Sequence, residues 1–298
     1  MSFSAKVKKE LSDYALGGRC CALSECMGIL LYCNTFRRDQ IRIVTENEDF
    51  AALLPRLFRK AFGLSFDSLP GNGSGGKLVF TITDSCKLRT IFDSFGYSAE
   101  GEKRLNLNYG VFEDDGCPTA FLRGAFLSGG SVTDPEKRYH LELSTTHPQV
   151  SRETHALMLE LELSPKETGR GGSSVLYFKQ SNAIEDFLTT VGAPICAMAI
   201  MEAKVEKELV NGVNRRVNCE TANLTKVVDA AQEQLLAIRK LRESGRFETL
   251  PEKLKESAIL REENPEATLT ELSEMTEPPV SKSAMNHRMR KLTELSRE

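Results

Sequence analysis

The chain has 298 residues, 40% hydrophobic and 27% charged, a composition ordinary for a folded protein of two or three domains and unlike disordered, collagen-like or coiled-coil chains. Lys and Arg number 39 against 42 Asp and Glu, a net charge of −3, so any contact with nucleic acid has to come from a local patch. The longest apolar run, Val191 to Met201, contains Gly192 and Pro194 and falls short of the ~18 residues that a membrane helix requires.

In chain order, Met1 to Tyr14 reads as an amphipathic helix carrying Lys6, Lys8, Lys9 and Glu10. It lacks the apolar stretch of a signal peptide, so the expected location is the cytoplasm. There the eight cysteines, Cys20, Cys21, Cys26, Cys33, Cys86, Cys117, Cys196 and Cys219, are expected to be free and mostly buried. They form no C-x-x-C pair, so spacing supplies neither a disulfide framework nor a metal ligand set.

Two segments then match at a constant offset. Cys26-Met-Gly28-Ile-Leu-Leu parallels Leu122-Arg-Gly124-Ala-Phe-Leu, and Ser85 to Gly96 parallels Ser181 to Gly192, with both glycine pairs 96 positions apart. The first unit predicts a helix over Ala22 to Cys33, a strand Ile41 to Thr45, a helix Asp49 to Phe62, a strand Leu78 to Thr83 and a helix Ser85 to Phe95. The second predicts the same series over Thr119 to Ser128, Tyr139 to Ser144, Gln149 to Leu161, Val175 to Lys179 and Ser181 to Val191. Gly96 and Gly192 suit the left-handed residue that ends a helix, while Asp67 to Gly76 and Arg170-Gly-Gly172 suit turns between strands. The first helix of each unit is apolar nearly all round yet carries a mid-helix glycine, at a cost of about 1 kcal/mol against alanine. Occurring at matched positions, Gly28 and Gly124 predict close approach of two helices at a pseudo-twofold axis.

Leu122-Arg-Gly-Ala-Phe-Leu-Ser-Gly-Gly130 resembles a degenerate LAGLIDADG helix, and Cys26-Met-Gly-Ile-Leu-Leu-Tyr-Cys-Asn34 resembles its partner. In homing endonucleases of that family the eighth motif position of each helix is an acid that binds the catalytic divalent ions. Here those positions are Cys33 and Gly129, neither a ligand for a hard cation. Asp39 and Asp134 follow five or six residues later. Residues 1–200 carry 22 basic against 24 acidic residues, and His140, Glu142 and Ser144 alternate with Leu141 and Leu143, so the strand face is not strongly basic. Gly71-Asn-Gly-Ser-Gly-Gly76-Lys77 nearly spells a phosphate loop, but Leu78 replaces the Ser/Thr and a strand follows where a helix is needed.

Beyond Met201 the pattern becomes helical. Glu202 to Val210 is a charged helix, and Asn211 to Asn218, with Arg215 and Arg216, predicts a break and hinge. Asn223 to Leu241 shows an apolar stripe at Leu224, Val227, Val228, Ala231, Leu235 and Ile238, and Glu252 to Arg261 begins a further helix after Pro251. Thr268-Leu-Thr-Glu271 matches a capping box before a short helix to Met275. Pro278-Pro279 ends that helix, and Ser281 to Leu295 forms the next, with Met285, Met289, Leu292 and Leu295 inward. This is helix-turn-helix length, and charge sorts across it: Glu262 to Glu277 holds six acids and no base, whereas Lys282, Arg288, Arg290 and Lys291 mark the last helix.

The order of these parts resembles the WhiA family of bacterial regulators. The likeness runs through Met1-Ser-Phe-Ser4, Ala120 to Val132, Val213-Asn-Arg-Arg-Val-Asn-Cys219 and Pro279 to Leu292. It implies an α+β fold: a duplicated LAGLIDADG-like αββαββα saddle (units 1–105 and 106–205), a linker at 206–222 and an all-α helix-turn-helix domain at 223–298. It also implies a non-catalytic DNA-binding transcription regulator active in cell division, chromosome segregation or sporulation, without cofactor or metal. The expected DNA-binding residues are Ser281, Lys282, Ser283, Asn286, His287, Arg288, Arg290 and Lys291, with Arg215 and Arg216 as linker contacts. The expected partner is double-stranded DNA in the nucleoid, with RNA polymerase or a sigma factor as a further candidate, and the expected state is a monomer. The alternative readings are a divergent metal-dependent homing endonuclease or maturase, and a platform for sigma factor or RNA polymerase.

Overall fold

A computed structural model describes residues 1–70, 76–97 and 105–297; the glycine-rich 71–75 segment of the loop discussed above lies outside the described residues. The chain divides into two compact units, Met1–Lys207 and Glu208–Glu298.

The first unit opens with α1 (Phe3–Asp13), capped by Ser2, whose hydroxyl accepts from the Ala5 amide. The first repeat follows as α2 (Arg19–Tyr32), β1 (Thr35–Arg37), β2 (Gln40–Thr45), α3 (Glu48–Phe62), β3 (Leu78–Ile82) and α4 (Ser85–Ser94). The second is α5 (Cys117–Gly129), β4 (Gly130–Val132), β5 (Leu141–Thr145), α6 (Pro148–Glu160), β6 (Lys166–Arg170), β7 (Ser173–Phe178) and α7 (Ser181–Val191). All ten elements predicted for the two units are present. The additions are the short strands β1 and β4, too brief to show alternation, and β6, whose residues are all exposed and so carry no apolar period.

Each repeat builds an antiparallel sheet, in order β1-β2-β3 and β4-β5-β7-β6. In the first repeat the fourth strand is reduced to one bridge, Ser68 opposite Thr81. Register follows the period of two. Ile41 and Ile43 face inward opposite Ile82 and Phe80, Leu141 and Leu143 face inward opposite Phe178 and Leu176, and Arg42 points out. The duplication extends to turn chemistry: the Asn47 amide donates to the Thr45 hydroxyl, and the His147 amide to that of Thr145. Gly96 and Gly192 both take positive φ, +71° and +99°, as the helix-ending role requires.

The core centres on α2 and α5, where Cys26, Met27, Ile29, Leu30, Phe121, Leu122, Ala125 and Phe126 are buried. A Cβ at Gly28 would strike the Phe121 carbonyl oxygen and stand 2.7 Å from the Ala125 amide nitrogen. One at Gly124 would strike the Glu25 carbonyl oxygen and stand 3.1 Å from the Ile29 nitrogen. The two backbones touch, and they run in the same direction, since the Cys21 and Cys117 ends adjoin at one end and Tyr32 adjoins Gly129 at the other. Alongside lies a buried ion pair. Arg123 Nη1 donates to Glu25 Oε2 at 3.3 Å and its Nε to the Val191 carbonyl at 2.8 Å, while the guanidinium lies 3.8 Å from the Tyr14 ring centre. Burial pushes the Glu25 carboxyl up to about 7, against the opposing pull of Arg123.

From Pro194 one 50-residue helix, α8 (Pro194–Glu243), runs through the segment where a break at Asn211 to Asn218 and a linker at 206–222 are expected. The correction has a physical basis. Turn formers without proline only lower helix propensity, by about 1 kcal/mol for Gly212, and propagation through strong formers on either side offsets that cost. A short 3-10 turn (Arg246–Thr249), α9 (Glu252–Glu263), α10 (Leu269–Glu274) and α11 (Lys282–Leu295) complete the second unit. Its core is Ile238, Leu241, Phe247, Ala258, Leu272, Met285, Met289 and Leu292. The apolar stripe expected from Leu224 begins to bury only at Ala231: Leu224, Val227 and Val228 are exposed.

Gly28→Ala or Gly124→Ala should each cost about 3 kcal/mol or more, because the obstruction is backbone, whereas Gly212→Ala, with open space around it, should stabilise by up to about 1 kcal/mol; urea unfolding followed by far-ultraviolet circular dichroism reads both. Because the Glu25 carboxyl holds its proton more tightly folded than unfolded, its contribution to stability is full at acid pH and is lost as pH rises from the ordinary carboxylate range through about 7. Glu25→Gln should therefore gain stability relative to the parent as pH rises across that window, and equal pH dependence of the two unfolding midpoints would refute the assignment.

Candidate nucleic-acid interface

The second unit presents α11 on a fixed frame. At the start of α10 the Thr268 hydroxyl accepts from the Glu271 amide at 3.3 Å, and the Glu271 carboxylate accepts from the Thr268 amide at 2.7 Å, so both halves of the expected capping box form. The turn between the helices is pinned by buried Thr276, whose hydroxyl donates toward the carbonyls of Ser273 (3.0 Å) and Pro278 (3.1 Å), and by the Val280 amide donating to the Ser273 carbonyl at 3.0 Å. Ser281 caps α11 by accepting from the Ala284 amide at 3.2 Å.

Helical period then sorts the residues of α11. Met285, Met289 and Leu292 bury against the core, while Ser281, Lys282, Ser283, Asn286, His287, Arg290 and Lys291 are exposed. Seven of the eight expected contact residues thus lie on the solvent side. Arg290 and Lys291 share Glu294 as an ion-pair partner, at 3.4 and 3.8 Å, on the open surface. Such exposed pairs contribute little, so both cations can be redirected to phosphate.

Arg288 is the exception. Its Nη1 lies 3.3 Å from Glu256 Oε2, 3.1 Å from Ser257 Oγ and 3.4 Å from the Lys253 carbonyl, and its side chain is only 15% exposed. It ties α11 to α9 instead of facing a groove. The signal was available in the sequence: Arg288 sits three residues after Met285 and four before Leu292, at the edge of the buried face.

A second arginine, outside the expected set, is also internal. Arg261, on the inner face of α9, is fully enclosed. Its Nε donates to Gln234 Oε1 at 3.0 Å, and Nη1 to the Ala267 carbonyl at 2.6 Å, with the Asn264 and Pro265 carbonyls at 3.4 Å. Burial pushes its guanidinium down from the usual range, and one charged fork holds the segment entering α10 against α8 and α9. Arg215 and Arg216, expected in a linker, lie exposed on α8.

In the first unit the metal-clamp positions of the LAGLIDADG pattern are closed. Cys33 directs its sulfur to the Leu30 and Thr35 carbonyls, at 3.2 and 3.3 Å, and burial pushes its thiol up to about 12. Any Cβ at Gly129 would stand 2.6 Å from the Ser144 carbonyl oxygen and 2.9 Å from the Tyr32 ring. Asp39 is held by Arg37 through two bonds of 3.1 and 2.8 Å, and Asp134 caps a turn by accepting from the Glu136 amide. On the strand face, Glu142 is shared between the His140 ring (3.2 Å) and Arg170 (2.8 Å), so that arginine is engaged within the face. A groove of about 730 Å³ elsewhere in this unit is lined by Phe36, Arg37, Arg38, His147 and Arg152 among others.

Comparison with known proteins bears on both units. The family model for the WhiA C-terminal HTH domain matches residues 213–296, and that for the WhiA LAGLIDADG-like domain matches residues 118–210. Proteins named "Probable cell division protein WhiA" from Ruminiclostridium cellulolyticum and Alkaliphilus oremlandii are 38% and 36% identical, each alignment covering 99% of this chain and 97% of the relative. Among solved structures, full-length DUF199/WhiA from Thermatoga maritima superposes with a TM-score of 0.60 at 23% identity, over 100% of this chain and 98% of that one. The N-terminal LAGLIDADG domain of DUF199/WhiA gives 0.51 at 24% identity over 64% of this chain and 92% of that one, a likeness of fold.

The two arginines of this frame separate from the exposed cations by stability. Arg261→Met should cost about 3 kcal/mol by stranding buried acceptors, and Arg288→Ala about 1–2 kcal/mol, while Lys282→Gln should stay within about 0.5 kcal/mol; chemical denaturation of the full chain distinguishes them.

Proposed function

Because the chain belongs to the WhiA family, in which close relatives carry the name of probable cell division proteins, we propose that it is a non-catalytic, DNA-binding transcription regulator acting in cell division, chromosome segregation or sporulation. The observation that carries this reading is the exposed side of α11: a helix capped by Ser281 and seated on α9, offering Lys282, Arg290 and Lys291 to phosphates and Ser283, Asn286 and His287 to base edges of the major groove. Ser281 is occupied as the cap and would set register from its backbone end. Arg288 acts by fixing the angle of α11. Arg215 and Arg216, exposed on α8, remain candidates for flanking phosphate contact.

The nuclease alternative has little to stand on, since Cys33 and Gly129 fill the clamp positions and Asp39 and Asp134 are engaged in local bonds. A contact with RNA polymerase or a sigma factor is compatible with the regulator reading. In this reading the protein works in the cytoplasm on the nucleoid, as a monomer, because its first unit already contains both members of the paired helices.

The test is a salt-dependent binding titration of the intact chain on duplex DNA, run with Mg²⁺ present and the products resolved on a gel. Changing Arg290 and Lys291 together to Gln should flatten the salt slope by about 2 and weaken binding across all sequences, while Asn286→Ala should narrow the gap between specific and nonspecific duplex. An unchanged slope, or cut DNA, would overturn the proposal.

A further inference from the structure

At the other end of the helix pair from Gly129, four side chains that no spacing rule connects come together. Asp114, in the loop before α5, accepts from the Cys20 sulfur at 3.0 Å, the Cys21 sulfur at 3.3 Å and the Cys117 sulfur at 3.3 Å. The three sulfurs and the carboxylate oxygen all lie within 4.8 Å of one another. We infer that Cys20, Cys21, Asp114 and Cys117 form a binding site for one thiophilic divalent cation of the Zn²⁺ class, which clips the first turns of α2 and α5 together.

Three observations carry this beyond a chance cluster. Zinc–sulfur and zinc–oxygen bonds of about 2.3 and 2.1 Å at tetrahedral angles separate ligand atoms by roughly 3.5 Å, so the observed group needs to relax by only about an ångström. Three thiols select soft or borderline cations and exclude Mg²⁺ or Ca²⁺ as the resident ion. Cys21 and Cys117 are also 96 positions apart, the offset of Gly28 and Gly124, so each repeat contributes its equivalent residue at the pseudo-twofold axis.

The placement is set by the helix pair. Cys117 opens α5, and Cys20 and Cys21 fall in the first turn of α2, so the three sulfurs gather at the adjoining N-terminal ends. The loop is held in shape by the Gly116 amide donating to Asp114 Oδ1 at 2.9 Å and the Cys117 amide donating to the Asp114 carbonyl at 3.1 Å. A purely structural thiol packs into apolar surroundings, as fully buried Cys26 does. Cys20 and Cys21 are only half-buried and turn their sulfurs to a charged carboxylate. Coordination would release the three thiol protons to solvent and leave four metal–ligand bonds in place of three weak hydrogen bonds.

The experiment uses the full-length chain purified under reducing conditions. Metal content is measured by elemental mass spectrometry, then the chelator-stripped protein is titrated with Co²⁺. Expected are one Co²⁺ per chain with the intense visible bands of tetrahedral geometry and a thiolate-to-cobalt charge-transfer absorption, both abolished by added Zn²⁺, and a Tm raised by metal. Cys20→Ser and Asp114→Asn, both at positions outside the apolar core, should lose or weaken the signal, and Cys86→Ser and Cys219→Ser, at exposed cysteines, should keep it. Absence of charge-transfer bands, a signal indifferent to Cys20→Ser and Asp114→Asn, or a Cys21–Cys117 disulfide persisting in reductant would each overturn the site.

Discussion

The backbone contact between α2 and α5 governs the first unit. Two helices approach this closely only where Cβ atoms are missing, so Gly28 and Gly124 set the distance at which each repeat's sheet meets the other's helix. Consequences follow along the whole length of the pair. In the middle, Glu25 and Arg123 are enclosed together, and burial raises the carboxyl's hold on its proton. Toward the C-terminal ends, Thr145 reaches across to donate its hydroxyl to the Leu31 carbonyl at 2.9 Å. The same tightness shuts position 129 against any side chain, so an acid there could not be restored by one substitution without displacing the Ser144 carbonyl or the Tyr32 ring. At the opposite ends it brings Cys21 to Cys117.

In the second unit the organising element is a charge used internally. Arg261 binds carbonyls of the segment entering α10 and the side chain of Gln234 on α8, and Arg288 binds Glu256 and Ser257 on α9. Arg288 therefore holds α11 against α9, and Arg261 holds the segment that enters α10. On α11 itself the cations left facing outward are Lys282, Arg290 and Lys291, and binding would rest on where they sit, since the chain as a whole is negative.

Much of this architecture was legible in the residues. The 96-residue offset, the matched glycines, the capping box at Thr268 and the buried series Met285, Met289 and Leu292 are local or periodic signals, and each appears in the fold as read. Elsewhere a weak local signal yields to its surroundings. Asn211 to Asn218 favours a turn only weakly, and a long cooperative helix overrode it. Leu224, Val227 and Val228 have the period of a buried face without a surface to bury against in their own unit.

The sequence alone therefore determined the duplicated α+β plan, the helix-turn-helix and the outward set of polar residues on α11, because hydrophobic period and capping act over a few residues and are written there. The tertiary structure decided which charges serve the scaffold and which face solvent, and it decided the partners of the cysteines. Cys20 and Asp114 are 94 residues apart, and Arg288 and Glu256 are 32 apart. Such pairs exist only once helices from distant segments have packed, and no spacing rule along the chain encodes the distance between them.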